Sequence, residues 1–88
     1  MSVTAHDIQA ALQQALQPTL LQVRDDSHLH AGHAGAREGR HFHVRITSTV
    51  FTGRKLVARH RLVYDALRLL MPSGIHALAI EAHAPDEP

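Results

Sequence analysis

Histidines are the residues of this 88-residue chain that are best suited to chemistry. Three of them lie within six residues, in the run Ser27-His28-Leu29-His30-Ala31-Gly32-His33. Imidazole is the commonest neutral metal ligand, and its charge can change near physiological pH. The run is too rich in glycine and alanine to form a regular element, so it predicts a loop that carries ligands for a metal or a cofactor.

The absence of cysteine limits what such a site can be. A disulfide framework, a thiol nucleophile and a metal site built only from thiolates of this chain are excluded. A three-histidine zinc site of the catalytic type stays open, although no His-Glu-x-x-His pair supports it. The other interpretation is a solvated loop whose histidines bind nothing. We find no nucleophile with a neighbouring base and no paired carboxylates, so the sequence does not predict an enzyme.

A basic stretch at the start of a predicted helix is the second candidate for chemistry. Its cations could contact phosphates or an acidic partner, and the alternative is a solvated helix face. The formal net charge of +1 is too small to predict nucleic-acid binding by itself. No Gly-x-x-Gly loop of the KH type and no aromatic stacking platform accompany the cations. The candidates for phosphate contact are Arg54, Lys55, Arg59 and Arg61.

Five predicted elements must position these residues. Thr4 and Asp7 can cap a first helix over about residues 5–16. A short strand follows over Leu20–Asp25, and residues 26–40 form one long, histidine-rich loop. Loops of this length in a compact domain are usually functional or disordered.

The second strand is predicted over His41–Thr47, where apolar and polar residues alternate. The alternation predicts that the apolar members face the core, namely Phe42, Val44 and Ile46. His41 and His43 then point away from the core. His43 is expected to be exposed, and His41 is a reserve ligand because it is close to the loop in sequence.

The second helix is predicted over Leu56–Met71. Its apolar face carries Leu56, Val63, Leu67 and Leu70. His60 falls inside this apolar arc, so we expect a partly buried structural histidine there rather than a ligand. An extra helical turn near residues 71–74 precedes a final strand over Ile75–Ala82, and residues 84–88 are expected to fray.

The order of these elements predicts an α+β fold in a single domain that spans residues 1–88. The first two strands are predicted to be antiparallel across the long loop. The second helix is predicted to make a right-handed crossover between two parallel strands. Both helices would then cover one face of a three-stranded mixed sheet.

Several blocks of the sequence, taken in order, resemble the BolA family over roughly residues 5–85. The blocks are Ser27-His28 through His33, His41-Phe42, Ser48, Phe51-Thr52-Gly53, Arg59-His60-Arg61-Leu62-Val63-Tyr64, and Ile75-His76-Ala77-Leu78-Ala79-Ile80 followed by Pro85. Separate blocks in the right order are a much more specific signal than any single motif.

The resemblance implies a class II KH-like αββααβ fold and no catalytic activity. It also implies a partner, a monothiol glutaredoxin of the CGFS type, with which BolA-like proteins share a [2Fe–2S] cluster in iron–sulfur trafficking and iron regulation. A glutaredoxin cysteine and a glutathione thiol would supply the thiolates that this chain lacks. The isolated chain is therefore expected to hold no cofactor tightly.

The resemblance also assigns candidate ligands. The family's histidine ligand in the final-strand motif corresponds to His76. The second ligand of the family comes from the loop between the first two strands, where position favours His30 and then His33. His28 and His41 are reserves.

Some BolA-like proteins are associated with transcriptional regulation. The alternative function is therefore a nucleic-acid-binding regulator that uses the basic second helix, with DNA as its partner. The N-terminus lacks the apolar run of a secretory signal, and no apolar stretch approaches the roughly 20 residues needed to cross a bilayer. We expect a cytoplasmic protein without membrane contact, which is a monomer or a weak homodimer when alone.

Overall fold

The computed structural model describes residues 3–27 and 40–87. Within them, two helices and three strands follow one another in the predicted order. The elements are α1 (Ala5–Leu16), β1 (Leu20–Asp25), β2 (Arg40–Thr47), α2 (Leu56–Ala66) and β3 (Ile75–His83), with 3-10 turns at Thr49–Phe51 and Met71–Ser73. The second 3-10 turn confirms the extra helical turn expected before the last strand. Among the described residues, no helix has the length and apolar character that a membrane span requires.

A reciprocal pair of hydrogen bonds starts α1. The Asp7 N–H donates to Thr4 Oγ1 at 3.1 Å, and the Thr4 N–H donates to the Asp7 carboxylate at 2.9 Å. This capping box satisfies amides that the helix itself leaves without partners. The bond from the Thr4 amide also holds the pKa of Asp7 below its usual value. Three aliphatic residues of α1 are buried, namely Ile8, Leu12 and Leu16.

The sheet has the order β1-β2-β3, with β2 in the centre. β1 pairs antiparallel with β2, and β2 pairs parallel with β3. The predicted mixed, three-stranded sheet is therefore confirmed. Apolar side chains from β2 pack with those of both helices on one face of the sheet. The fully buried members of this core are Ile8, Leu12, Val44, Ile46, Phe51, Val63 and Leu67.

A β-bulge interrupts the parallel ladder where β2 and β3 begin. Arg40 pairs with Ile75. The next residue on β2, His41, pairs with Ala77, which leaves His76 as the extra residue on β3. A bulge re-aims the side chains around it. As a result Ile75 is buried while His76 and Ala77 are both exposed, and normal alternation resumes along the rest of β3.

α2 is shorter than the sequence predicts. It ends at Ala66 instead of continuing to Met71. The ring of Pro72 would clash with the carbonyl four residues earlier in a continuous helix, so the chain must leave the α conformation before it. Leu67 has already done so, with φ −102° and ψ 6°.

α2 buries the predicted face except at its first turn: Val63 and Leu67 are fully buried, and Leu70 packs against the core. Leu56 was expected in the core but is 63% exposed, whereas Arg59 is only 7% exposed. Arg59 can lie inward because its N–H groups have partners: Nε donates to the Arg54 carbonyl at 2.8 Å, and Nη1 donates to the Ala82 carbonyl at 3.1 Å. A buried cation is tolerated when it is paired and hydrogen-bonded in this way.

The chain after β3 is attached to the domain rather than frayed. Ala84 is buried. The two carboxylate oxygens of Glu87 accept from Arg59 Nη1 at 2.5 Å and from Nη2 at 2.8 Å, and one of them also accepts from the Ala84 N–H at 2.8 Å. The expectation that residues 84–88 fray is therefore wrong for residues 84–87, because an ion pair with a buried arginine holds them. The Arg59 hydrogen bond lowers the pKa of Glu87 to about 2.

Candidate functional site

Two histidines meet at one end of the sheet. The ring centroids of His41 and His76 are 5.1 Å apart, and the ring planes are tilted by 54°. His41 is the second residue of β2 and His76 is the second residue of β3, so the parallel pairing brings both to the same end. His76 is exposed and His41 is half-buried. Imidazole is a common metal ligand, so the two rings are candidate ligands at this end of the sheet.

Two hydrogen bonds join the end of the first described segment, at residues 26 and 27, to His41 of this pair. The His41 N–H donates to Ser27 Oγ at 3.1 Å, and the Asp26 N–H donates to the His41 carbonyl at 2.7 Å. Ser27, the last described residue before the histidine run, is therefore in direct contact with His41. Residues 28–39, which include the histidine run, are attached at this point.

Asp25, at the end of β1, and Arg40, at the start of β2, also stabilise this end of the sheet. The Asp25 carboxylate accepts from the Ser27 N–H at 2.9 Å and from Arg40 Nη1 at 2.8 Å. The Arg40 N–H donates to the Gly74 carbonyl at 2.8 Å, which ties the start of β2 to the turn before β3. The Ser27 hydrogen bonds, with a smaller contribution from Arg40, hold the pKa of Asp25 below its usual value. Our sequence reasoning missed this bracing, although an Asp two residues before a Ser is a recognisable turn signal.

A shallow depression of about 250 Å³ lies beside His41. Its lining residues are Asp26, His41, Phe42, Ala77, Leu78 and Ala79. The alanine side chains contribute little bulk to this lining. The depression leaves open space next to His41, and His76 is not among its lining residues.

The structure brings together two of the predicted ligands, His76 and the reserve ligand His41. The other predicted ligands, His28, His30 and His33, lie outside the described residues. Within residues 3–27 and 40–87, no group of three His, Cys, Asp or Glu side chains could hold a metal ion. A metal at the imidazole pair would therefore need further donors from outside those residues or from another molecule.

Two other histidines can be compared with their predictions. His43 was expected to be exposed, but its side chain is only 22% exposed and its Nε2 lies 2.7 Å from Glu81 Oε2 on the neighbouring strand. That expectation is wrong because a cross-strand carboxylate engages the ring. His60 is half-buried, as predicted for a structural histidine.

The predicted phosphate-contacting set is only partly on the surface. Arg54, Lys55 and Arg61 are exposed. Arg59 is buried and its charge is paired with Glu87 at 2.5 Å, so its assignment to a nucleic-acid surface is wrong. We grouped Arg59 with the surface cations by its charge, because nothing local in the sequence signals a carboxylate 28 residues later as its partner.

Comparison with known proteins gives the family. The family described as "BolA-like protein" matches residues 12–87. The chain is 46% identical over 86 residues to SufE-like protein 1, chloroplastic/mitochondrial, from Arabidopsis thaliana, a match that covers 91% of this chain and 23% of that protein. It spans only about a quarter of that relative. It is 37% identical over 76 residues to the DNA-binding transcriptional regulator BolA from Escherichia coli (strain K12), covering 86% of this chain and 70% of the regulator.

A solved structure agrees with these sequence matches. The BolA domain of SufE1 from Arabidopsis thaliana superimposes with a TM-score of 0.86 at 44% identity, covering 100% of this chain and 99% of that domain. The α+β fold, with two helices and a three-stranded mixed sheet, is therefore shared with that domain. On the family match, the sequence identities and this superposition, the chain belongs to the BolA-like protein family.

Proposed function

We propose that this chain is a non-catalytic partner that supplies imidazole ligands to a [2Fe–2S] cluster shared with a monothiol glutaredoxin of the CGFS type. Its role would be to modulate delivery of the cluster or sensing of iron by that glutaredoxin. One observation carries the proposal. The rings of His41 and His76 are 5.1 Å apart at the point where the histidine-rich segment is attached.

The imidazoles of this chain can supply the ligands of one of the two irons in such a cluster. The chain has no cysteine and so offers no thiolate. Two imidazoles on one iron are known chemistry for a [2Fe–2S] cluster, and the substitution raises its reduction potential. The other iron needs thiolates, for which a glutaredoxin cysteine and glutathione are the proposed sources. The missing cysteine thus favours a shared site over one held by this chain alone.

His76 is the proposed fixed ligand because the bulge presents it from a braced sheet end. The proposed second ligand is His30, then His33, with His28 and His41 in reserve. The three residues from Ser27 to His30 can extend by at most about 11 Å. This length of chain allows the His30 side chain to reach the imidazole pair.

The test is a visible absorption spectrum. The protein is mixed with a CGFS glutaredoxin, glutathione and an iron–sulfur donor, and the spectrum is compared with that of the glutaredoxin alone. We expect a heterodimer with an altered spectrum, because imidazole replaces thiolate on one iron. His76→Ala should remove or strongly weaken the difference. His43→Ala is the matched control, since His43 is on the same sheet but engages Glu81. An unchanged heterodimer spectrum in the His76→Ala variant would refute the assignment.

The loop ligands are distinguished by smaller effects. His30→Ala should weaken the altered spectrum less than His76→Ala, because His33 or His28 can replace it from the same segment. Replacing all three together should reproduce the loss caused by His76→Ala. If that triple variant keeps the altered spectrum and adding His41→Ala removes it, His41 is the second ligand.

A second candidate function is regulation through nucleic-acid binding. The relative from Escherichia coli is named a DNA-binding transcriptional regulator, and the exposed cations at the start of α2 favour the same role here. Arg59 contributes nothing to it while its charge is paired with Glu87. DNA affinity that falls steeply with salt, and with a shallower salt slope after Arg61→Gln, would support this function.

Location and oligomeric state stay predictions. A cytoplasmic location was expected, while the name of SufE-like protein 1 places that relative in chloroplasts and mitochondria. A monomer or weak homodimer is the state we propose for the isolated chain.

A further inference from the structure

An exposed surface on α2 combines apolar and basic side chains. We define the outer α2 face as Leu56, Val57, Arg61 and Tyr64. The three apolar members are 63%, 71% and 40% exposed, respectively. Positions 57, 61 and 64 are separated by four and three residues, so they share one side of the helix. These three residues therefore form a stripe in which a cation lies between apolar side chains, and Leu56 adjoins the stripe at the first turn of α2.

The exposed apolar side chains of α2 are not left over because its buried positions are already filled by other apolar residues. α2 buries Arg59 and Val63, so one of its two buried positions is taken by a cation while Leu56 and Val57 are in solvent. Exposed apolar patches with polar rims mark interaction surfaces. We conclude that the outer α2 face is available to a partner.

Cations outnumber carboxylates near this face. Lys55, Arg61 and Arg68 are exposed, and none of them forms an ion pair with a carboxylate in the described part of the chain. Asp65 is the only acidic residue of α2. A complementary partner would thus place carboxylates beside these cations and apolar side chains between them.

We propose that the outer α2 face docks an acidic, amphipathic helix of a partner protein. Its apolar side chains would pack on Leu56, Val57 and Tyr64, and its carboxylates would pair with the surrounding cations. Helices lie on such surfaces through apolar anchors spaced by three and four residues. A nucleic acid could use the cations, but its phosphates would bury nothing against two aliphatic side chains. The mixture of side chains therefore favours protein over nucleic acid.

The start of this face is distant from the imidazole pair. The start of α2 is attached to the far end of β3, where Arg59 donates to the Ala82 carbonyl. His76 is at the beginning of the same strand, six residues earlier, which corresponds to about 20 Å of extended chain. The face uses none of the candidate cluster ligands, so this proposal does not depend on the proposed cluster function.

The test is NMR titration of the full chain, labelled with ¹⁵N, with a synthetic helical peptide. The peptide carries leucines along one face and glutamates on both flanks of that face. We expect shift changes concentrated on residues 55–68. Leu56→Gln combined with Val57→Gln should weaken binding by at least about tenfold, the equivalent of losing one buried aliphatic side chain. Arg61→Glu should weaken it comparably.

Controls separate this result from bulk charge and from the other site. Arg45→Glu makes the same change in net charge at an exposed position of β2 and should alter the affinity by less than about twofold. His76→Ala should leave it unchanged. Circular dichroism of each variant shows whether the fold is retained.

Three outcomes would overturn the proposal. Absence of peptide binding is the first. Equal binding of a scrambled, non-amphipathic peptide of the same composition is the second, because charge alone would then explain the contact. The third is a DNA duplex that binds residues 55–68 and loses affinity with Arg61→Glu but not with the two glutamine substitutions, which would identify a phosphate-binding surface.

Discussion

Arg59 connects three parts of the chain through one guanidinium group. It binds the carbonyl of Arg54 before α2, the carbonyl of Ala82 on β3, and the carboxylate of Glu87 beyond the strand. The bidentate geometry with Glu87 is one that arginine forms and lysine cannot. The consequence is that one buried side chain of α2, together with the Ala84 amide, holds the end of the described chain.

Substitution of Glu87 should change the pH dependence of stability. The pKa of Glu87 is lowered to about 2 in the folded protein, from an ordinary value of 4.5. A lowered pKa stabilises the fold above the unfolded value, and that contribution is lost as the pH falls from about 4.5 toward 2. We expect Glu87→Gln to lower the urea midpoint at pH 7 and to flatten the loss of stability in that acid range.

Urea unfolding at several pH values measures both effects. Asp86→Asn is the control, because it removes a neighbouring carboxylate that does not bond to Arg59. Parallel pH curves for the Glu87→Gln variant and the unmodified protein would contradict the role given to this ion pair.

At the scale of elements, the start of α2 lacks the side-chain cap that α1 has. Lys55 occupies the N-cap position with φ −74° and ψ 162°, but its side chain makes no capping hydrogen bond, and the first turn contains no acidic residue. By contrast, α1 begins with a complete capping box. The amides of the first turn of α2 thus receive no help from the side chain that precedes them.

A serine at position 55 should supply the missing acceptor. The backbone angles there already suit an N-cap residue, so we expect Lys55→Ser to raise the free energy of unfolding by about 1 kcal/mol. Lys55→Gln removes the same charge without a short capping hydroxyl and serves as the control. Thermal or urea unfolding measures the difference, and equal stability of the two variants would contradict it.

The elements differ in how far the sequence determines them. The strict alternation of β2 and the capping residues of α1 are local signals, and both elements were predicted to within one residue. The inner face of α2 was predicted correctly at Val63 and Leu67 but not at its first turn, where Arg59 is buried and Leu56 is exposed, because the partner of Arg59 comes from a distant part of the chain. The sequence named His76 and His41 as candidate ligands. Their proximity depends on parallel pairing and a bulge, which no local pattern specifies.

At the scale of the whole molecule, the core is complete without the histidines. Its buried side chains are aliphatic or aromatic and come from both helices, from β2 and β3 and from the turn at Thr49–Phe51. The buried hydroxyl of Ser48 also joins distant parts, since it donates to the Leu16 carbonyl at 2.7 Å. None of these contacts uses a metal ligand, so folding should be independent of any metal.

Chelation tests this independence. Treatment of the isolated protein with EDTA should leave its circular dichroism spectrum and melting temperature unchanged. A structural metal would behave differently, because its binding free energy is part of the folding free energy. Loss of structure on chelation would therefore also refute the shared-cluster proposal.

The bulge at His76 has a consequence for motion. A bulged residue lies outside the regular ladder of hydrogen bonds, so the backbone at this position can rearrange without breaking the bonds that join β2 to the rest of β3. Local opening there costs less than opening of the whole strand. The amide hydrogen of His76 should accordingly exchange with solvent faster than those of Leu78 to Ala82, and the site could adjust to a bound group while the sheet stays intact.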